Sequence, residues 1–184
     1  HCALRYWAMG DRSMDPDARP SAAELDEMVG LLDEAMAAGA LGFSTSRTLR
    51  HKVPDGRQVP GTFAEPDELI ALAEVLARRG RGIFESAPRF DGDGPSEPRC
   101  RSELDWMREV ALRSGRPVTF NLTHTFDNSD HHRLAIELAE AAGERPEGRA
   151  GPRGDLGAGA GGASLGEGGD HQRAVLALVD AQGR

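Results

Sequence analysis

Residues 66–85 read PDELIALAEVLARRGRGIFE, and this stretch contains the pattern of one amphipathic helix followed by a short strand. Pro66 stands at a favourable first position of a helix, and apolar residues then recur every three or four positions. Gly80 is suited to end that helix in a left-handed conformation. Residues 82–85 follow as a short apolar strand. The stretch therefore predicts one helix–strand unit.

The same unit recurs on both sides of this stretch. Ser21 and Glu24 form the two ends of a capping box that opens a helix, and Gly39 is placed to end it. Ser129 is the predicted N-cap of the last helix. The additional predicted elements are helices at about 21–39, 102–115 and 129–142 and strands at 41–44 and 118–122. The strand at 41–44 shows no alternation, which is typical of a strand buried on both faces of a parallel sheet.

The lengths of the connections distinguish two parallel architectures. The segments after the strands are long, at 45–65 and 86–101, whereas those after the helices have only a few residues. Long loops at the carboxyl ends of strands favour a (β/α)8 TIM barrel over an open, flavodoxin-like binding domain. No Gly-x-Gly-x-x-Gly follows a strand, so a dinucleotide-binding fold is not indicated. A complete barrel needs about 250 residues, so we expect an α/β chain with a partial barrel in residues 1–142.

Both ends of the chain differ from this pattern. His1 leads into an apolar run that we interpret as strand-like, and we expect the chain to be an internal piece of a longer protein. Residues 143–184 form a Gly- and Ala-rich low-complexity segment with few large apolar side chains. Such a segment predicts a disordered tail, which an out-of-frame reading of a GC-rich gene would also produce. Within it, residues 172–179 could form a short helix.

Composition excludes several classes of protein. The 184 residues carry 22 Lys and Arg against 30 Asp and Glu, a net charge of −8, which argues against nucleic-acid binding. The 2 cysteines, Cys2 and Cys100, do not make a disulfide framework or a zinc site. No apolar run is long enough for a membrane span, and no secretory signal is visible. We therefore expect a soluble, cytoplasmic protein.

Several sequence pieces, in order and spacing, resemble one enzyme family. They are HCALR at 1–5, MG at 9–10, GALGFSTS at 39–46, PGTFA at 60–64 and DEL at 67–69. These pieces look like the D-aminoacylase (N-acyl-D-amino-acid deacylase) branch of the amidohydrolase superfamily. The resemblance covers residues 1–142. It implies zinc-dependent hydrolysis of a non-peptide carbon–nitrogen bond, in N-acyl-D-amino acids or a related small amide.

The resemblance also implies what the chain would lack. The family's early His-x-His metal pair and its late catalytic Asp have no counterpart here. The alternative to an enzyme is therefore a catalytically inactive truncated fragment. His124 follows the strand at 118–122, in the position where the family has a metal-binding His, so it is the candidate zinc ligand; a solvent-facing loop His is the alternative.

Three further residues are candidates for the site. Ser44 and Arg47 follow the first strand and could line a substrate pocket, with Arg47 clamping a carboxylate; a solvated arginine in an ordinary turn is the alternative. Glu85 ends the next strand, where D-aminoacylases carry Thr-His-Ile-Arg. It is a substituted ligand or proton carrier, or else a carboxylate contacting Arg89. We expect Ser44, Glu85 and His124 to meet at one edge of the sheet.

Overall fold

The computed structural model describes residues 1–92, 95–123, 131–143 and 173–178. Five α-helices and four strands occur in these ranges, with one 3₁₀ turn between the first two helices. In chain order they are α1 (Cys2–Met9), the 3₁₀ turn (Gly10–Met14), α2 (Ala22–Ala37), β1 (Gly42–Ser46), α3 (Pro66–Arg79), β2 (Ile83–Ala87), α4 (Ser96–Ser114), β3 (Val118–Thr123), α5 (His131–Gly143) and β4 (Arg173–Leu178).

The strands form one sheet in the order β1-β2-β3-β4. β1 pairs with β2 and β2 with β3 in parallel, with Gly42 opposite Ile83 and Phe84 opposite Val118. β4 pairs with β3 in the antiparallel direction. The predicted α/β class and its three parallel strands are confirmed. The described strands do not close into a barrel, and the division of the chain at residue 142 stays a prediction.

Local sequence signals explain where two of the helices begin and end. Ser21 accepts a hydrogen bond from the Glu24 N–H and the Glu24 carboxylate accepts one from the Ser21 N–H, so the predicted capping box is confirmed. Gly39, with a φ of 108°, and Ala40 close the helix with bonds to the carbonyls of residues 36 and 35. Helix α3 begins at Pro66 and ends before the left-handed Gly80, also as predicted.

Other predicted elements were wrong. Residues 2–9 form a helix rather than a strand, because Arg5 and Met9 lie one turn apart and both are buried. Residues 173–178 form strand β4, not a helix. Helix α4 begins at Ser96 rather than near Ser102, since Pro98 is tolerated in the first turn. The predicted N-cap Ser129 lies outside the described residues.

The two faces of the sheet differ in burial. Phe43 of β1, Phe84 of β2 and Phe120 of β3 belong to the same buried core as the helices. The rings of Phe43 and Phe84 meet edge to face at 4.8 Å. Ser44 and Glu85 are exposed on the opposite face. The expectation that β1 is buried on both faces is therefore wrong, because its residues alternate between the core and solvent.

Glycine at position 42 permits the close approach of β1 and β2. Its φ is 153°, and a Cβ placed there would lie 1.9 Å from the carbonyl oxygen of Ile83. That oxygen belongs to the backbone and cannot move aside without disturbing the parallel pair. Only glycine fits where β1 approaches β2 this closely.

Candidate functional site

The structure brings two of the predicted site residues together on the exposed face of the sheet. Ser44 and Glu85 are direct partners in the parallel register of β1 and β2. Thr119 of β3 is the partner of Glu85 in the parallel register of β2 and β3. Neighbouring strands lie about 4.8 Å apart, so these polar residues form a continuous row. His124 lies outside the described residues, and its convergence with the other two stays a prediction.

The carboxylate of Glu85 is exposed. Within the described part of the chain it makes no hydrogen bond or ion pair, so the alternative in which it contacts Arg89 is not observed. The backbone N–H of Arg89 donates instead to Glu103 at 3.1 Å. Glu85 is therefore available to a molecule that approaches this face of the sheet. Its role as a proton carrier stays a prediction.

Arg47 lies directly after β1, but its side chain enters the protein interior and only 4% of the residue is exposed. Its Nε and Nη2 donate to the carboxylate of Glu103 at 2.9–3.1 Å. Its Nη1 donates to the carbonyl of Ala64, and the guanidinium lies 5.4 Å from the ring centre of Trp106. The alternative of a solvated arginine is wrong. A substrate carboxylate held by Arg47 would have to displace Glu103.

A second buried polar cluster was not predicted from the sequence. The His1 ring bonds through Nδ1 to Thr45 Oγ1 and through Nε2 to Glu68 Oε1, each at 2.7 Å. The Arg5 guanidinium pairs with the same Glu68 at 3.0 Å. Burial raises the pKa of Glu68, whereas the positive charge of Arg5 acts in the opposite direction. Glu68 occurs inside the apolar stripe of α3, and this is the signal that could have revealed the cluster.

Arg5 also connects α1 to the loops around it. Its Nη1 donates to the carbonyls of Ser13 and of Pro60, the latter at 2.7 Å, and its Nη2 donates to Ala18 at 2.9 Å. A single buried guanidinium therefore donates to three backbone carbonyls, of which that of Ala18 also accepts from Arg19 Nη1 at 3.2 Å. This arrangement holds the segment containing Pro60 against helix α1.

The end of β1 carries a further contact on its exposed side. Ser46 Oγ lies 2.6 Å from His51 Nδ1. His51 is exposed, but its ring is bonded to a neighbouring side chain. An isolated bridge between Lys52 and Gln58 and a bond from Val59 N to His51 O at 3.4 Å shape the loop that carries it.

The described residues do not fit a zinc site. No group of three or more His, Cys, Asp or Glu side chains among them could hold a metal ion. Both ring nitrogens of His1 are already bonded. Cys2 is half-buried and Cys100 buried, and both are free thiols. Of the candidate ligands, His124 lies outside the described ranges, so the structure leaves its role as a prediction.

Comparison with known proteins finds partial relatives. N-acyl-D-glutamate deacylase of Alcaligenes xylosoxydans xylosoxydans is 41% identical over 115 residues, which is 62% of this chain and 20% of that protein. Uncharacterized proteins of Mycobacterium tuberculosis and Mycobacterium bovis are each 44% identical over 97 residues, or 50% of this chain and 16% of theirs. The match to the deacylase hints at an amidohydrolase relation.

The chain spans a fifth or less of the length of these relatives. No family model matches it, and no solved structure matches it. In the portion of the chain that the structure describes, no helix has the length and apolar character needed to cross a bilayer.

Proposed function

We propose that this chain is part of an amidohydrolase that cleaves a non-peptide carbon–nitrogen bond in a small amide, with N-acyl-D-amino acids as the substrate class. The observation that carries this proposal is the 41% identity to N-acyl-D-glutamate deacylase over 115 residues. The matched relative acts, by its name, on an N-acylated D-amino acid. The resemblance of residues 1–142 to the D-aminoacylase branch agrees with it.

The exposed face of the sheet supplies groups that suit this reaction. Hydrolysis of an amide needs a group that moves a proton from the attacking water to the departing nitrogen. Glu85 is an exposed carboxylate in the middle of β2, not at its end as the sequence predicted, and it has no partner among the described residues. Ser44 stands beside it on β1 and can hydrogen-bond a substrate. In this proposal Glu85 carries a proton and Ser44 contacts the substrate.

Zinc is the cofactor that the resemblance implies, and His124 is its proposed ligand. A zinc ion would activate water and polarise the carbonyl group of the amide. The described residues supply no set of ligands for such an ion. Neither Ser44 nor Glu85 is therefore given a role that depends on metal. Arg47 keeps its proposed role as a clamp only if Glu103 can be displaced.

The test is hydrolysis by the full chain of N-acetyl-D-glutamate, with N-acetyl-L-glutamate as the matched control and elemental analysis of the same sample. Release of D-glutamate from the D-substrate alone, together with stoichiometric zinc, would support the proposal. A folded chain that releases no amino acid from either substrate would contradict it. That outcome would favour the alternative, a catalytically inactive fragment.

A further inference from the structure

We propose that His51 is a catalytic residue of the amide hydrolysis proposed above and that Ser46 is its positioning residue. In this step the oxygen of water bonds to the amide carbonyl carbon and the carbon–nitrogen bond breaks. Glu85 takes the proton that the water loses, as proposed above, and the protonated imidazole of His51 gives its Nε2 proton to the departing amine nitrogen; return of the proton from Glu85 to His51 restores both groups. Water is the one co-reactant, and the imidazole returns to its starting state. The inference rests on the proposed function.

The position of the pair follows from the alternation of β1. Ser46 is two residues beyond the exposed Ser44, so both belong to the same face of the sheet. The partner of Ser44 across the register is Glu85, which places the Ser46–His51 pair and this carboxylate on one side of the sheet. Ser46 is the last residue of β1, at the carboxyl edge where parallel sheets build their sites.

The hydrogen bond leaves one ring nitrogen of His51 for chemistry. Ser46 Oγ occupies Nδ1 at 2.6 Å, and no described residue bonds to Nε2. A partner on one nitrogen fixes the ring orientation and determines which nitrogen faces a ligand. Because His51 is exposed, its Nε2 is accessible to a substrate that lies against the strand ends.

The backbone around His51 holds the imidazole in place. The carbonyl of His51 accepts from Val59 N, and the bridge between Lys52 and Gln58 closes a narrow antiparallel ribbon. Val53 N also donates to the carbonyl of Arg57 at 2.9 Å. The histidine is therefore at the base of an ordered ribbon, which is the support that a proton-transfer group needs.

The surroundings favour proton transfer over attack by Ser46 itself. A serine nucleophile needs free N–H groups nearby to stabilise the oxyanion. The N–H groups of residues 47 and 48 both donate to Ala87 O, at 2.8 and 3.1 Å. Those of residues 49 and 50 donate to the side chains of Asp91 and Thr48. The turn after Ser46 thus offers no oxyanion site, whereas the imidazole can still exchange a proton.

The first measurement needs no turnover. In the full chain labelled with ¹⁵N-histidine, we expect the Nε2 signal of His51, assigned by its loss in His51→Gln, to shift and saturate as N-acetyl-D-glutamate is added. The buried His1 is the internal reference and should not move. Ser46→Ala should shift the Nδ1 signal of His51, and Ser46→Thr, which keeps the hydroxyl, should restore it.

The second measurement is steady-state kinetics on the same variants. We expect His51→Gln to lower kcat at least about 100-fold with KM within about threefold, as for loss of a general acid–base. Ser46→Ala should lower kcat about tenfold, and Ser46→Thr should recover most of it. Lys52→Gln, which removes a neighbouring charge from the same ribbon, should leave both constants unchanged.

Two results would overturn the inference: an unchanged kcat in His51→Gln, or a His51 signal that stays fixed at saturating ligand. A wild-type chain that hydrolyses nothing refutes the proposed function instead. In that case the shift of the His51 signal alone decides whether this residue contacts the ligand. Equal urea midpoints for His51→Gln and Lys52→Gln would show that a loss of rate is not a loss of folding.

Discussion

Replacing the buried Glu103 by leucine should lower the free energy of unfolding far more than replacing an exposed glutamate of the same helix. Glu103 is buried and accepts three close contacts from the guanidinium of Arg47. It also accepts the backbone N–H of Arg89 at 3.1 Å. The substitution leaves a buried positive charge without its counter-ion, which costs about 3–5 kcal/mol. That is a large part of the total stability of an ordinary domain.

The assay is urea unfolding followed by tryptophan fluorescence, because Trp106 packs against Arg47. With a slope of about 2 kcal/mol/M, a loss of about 4 kcal/mol lowers the midpoint by about 2 M. The matched control is Glu97→Leu on the same helix. The Glu97 side chain is 62% exposed and pairs with Arg101 one turn away, so its loss should cost less than about 0.5 kcal/mol.

A double variant completes a double-mutant cycle for the pair of Arg47 and Glu103. Arg47→Met combined with Glu103→Leu removes both charges, so it should recover at least about 2 kcal/mol of the loss in the single variant. If Glu103→Leu lowers the midpoint no more than Glu97→Leu does, the argument from burial is refuted. The double variant also tests the substrate clamp: hydrolysis by a folded protein without Arg47 would remove that role.

Three more predictions concern pH, thiol chemistry and glycine. Burial raises the pKa of Glu68 above its ordinary 4.5, so its contribution to stability is complete below that value and is lost as pH rises through the raised folded pKa. Glu68→Gln should abolish this loss in urea midpoints measured from about pH 4 upward. Burial also raises the pKa of Cys100 to about 11, so a thiol reagent near neutral pH should label Cys2 alone until the chain unfolds, as mass spectrometry would show. Gly42→Ala should lower the free energy of unfolding by more than about 3 kcal/mol by clashing with the backbone of β2, whereas Gly30→Ala, in open space on α2, should raise it by about 0.5–1 kcal/mol, as urea unfolding would show.

The helix boundaries that could be predicted depend on local chemistry. Ser21 and Glu24 satisfy each other's backbone donors within one turn, and Pro66 and Gly80 have conformational preferences that do not depend on the rest of the fold. Helix α1 could not be recognised, because it has no side-chain cap and its buried Arg5 interrupts the apolar pattern. Its helical form depends on partners far away in the chain.

The candidate site was predictable only in part for the same reason. Parallel pairing of consecutive strands is enough to bring Ser44 beside Glu85. The partner of Arg47 is Glu103, 56 residues away, and no local pattern identifies it. A short loop segment lies between Ser46 and His51, but the fold of that loop decides whether their side chains meet.

The ion pair between Arg47 and Glu103 limits how this architecture can be recombined. It joins the segment after β1 to helix α4, two helix–strand repeats later, and the guanidinium also holds the carbonyl of Ala64 just before α3. A chimera that took one of these segments from a homologue without the matching residue would leave the other charge buried and unpaired. Crossover points that keep residues 47–103 on one parental segment should therefore yield folded hybrids more often than crossovers within it.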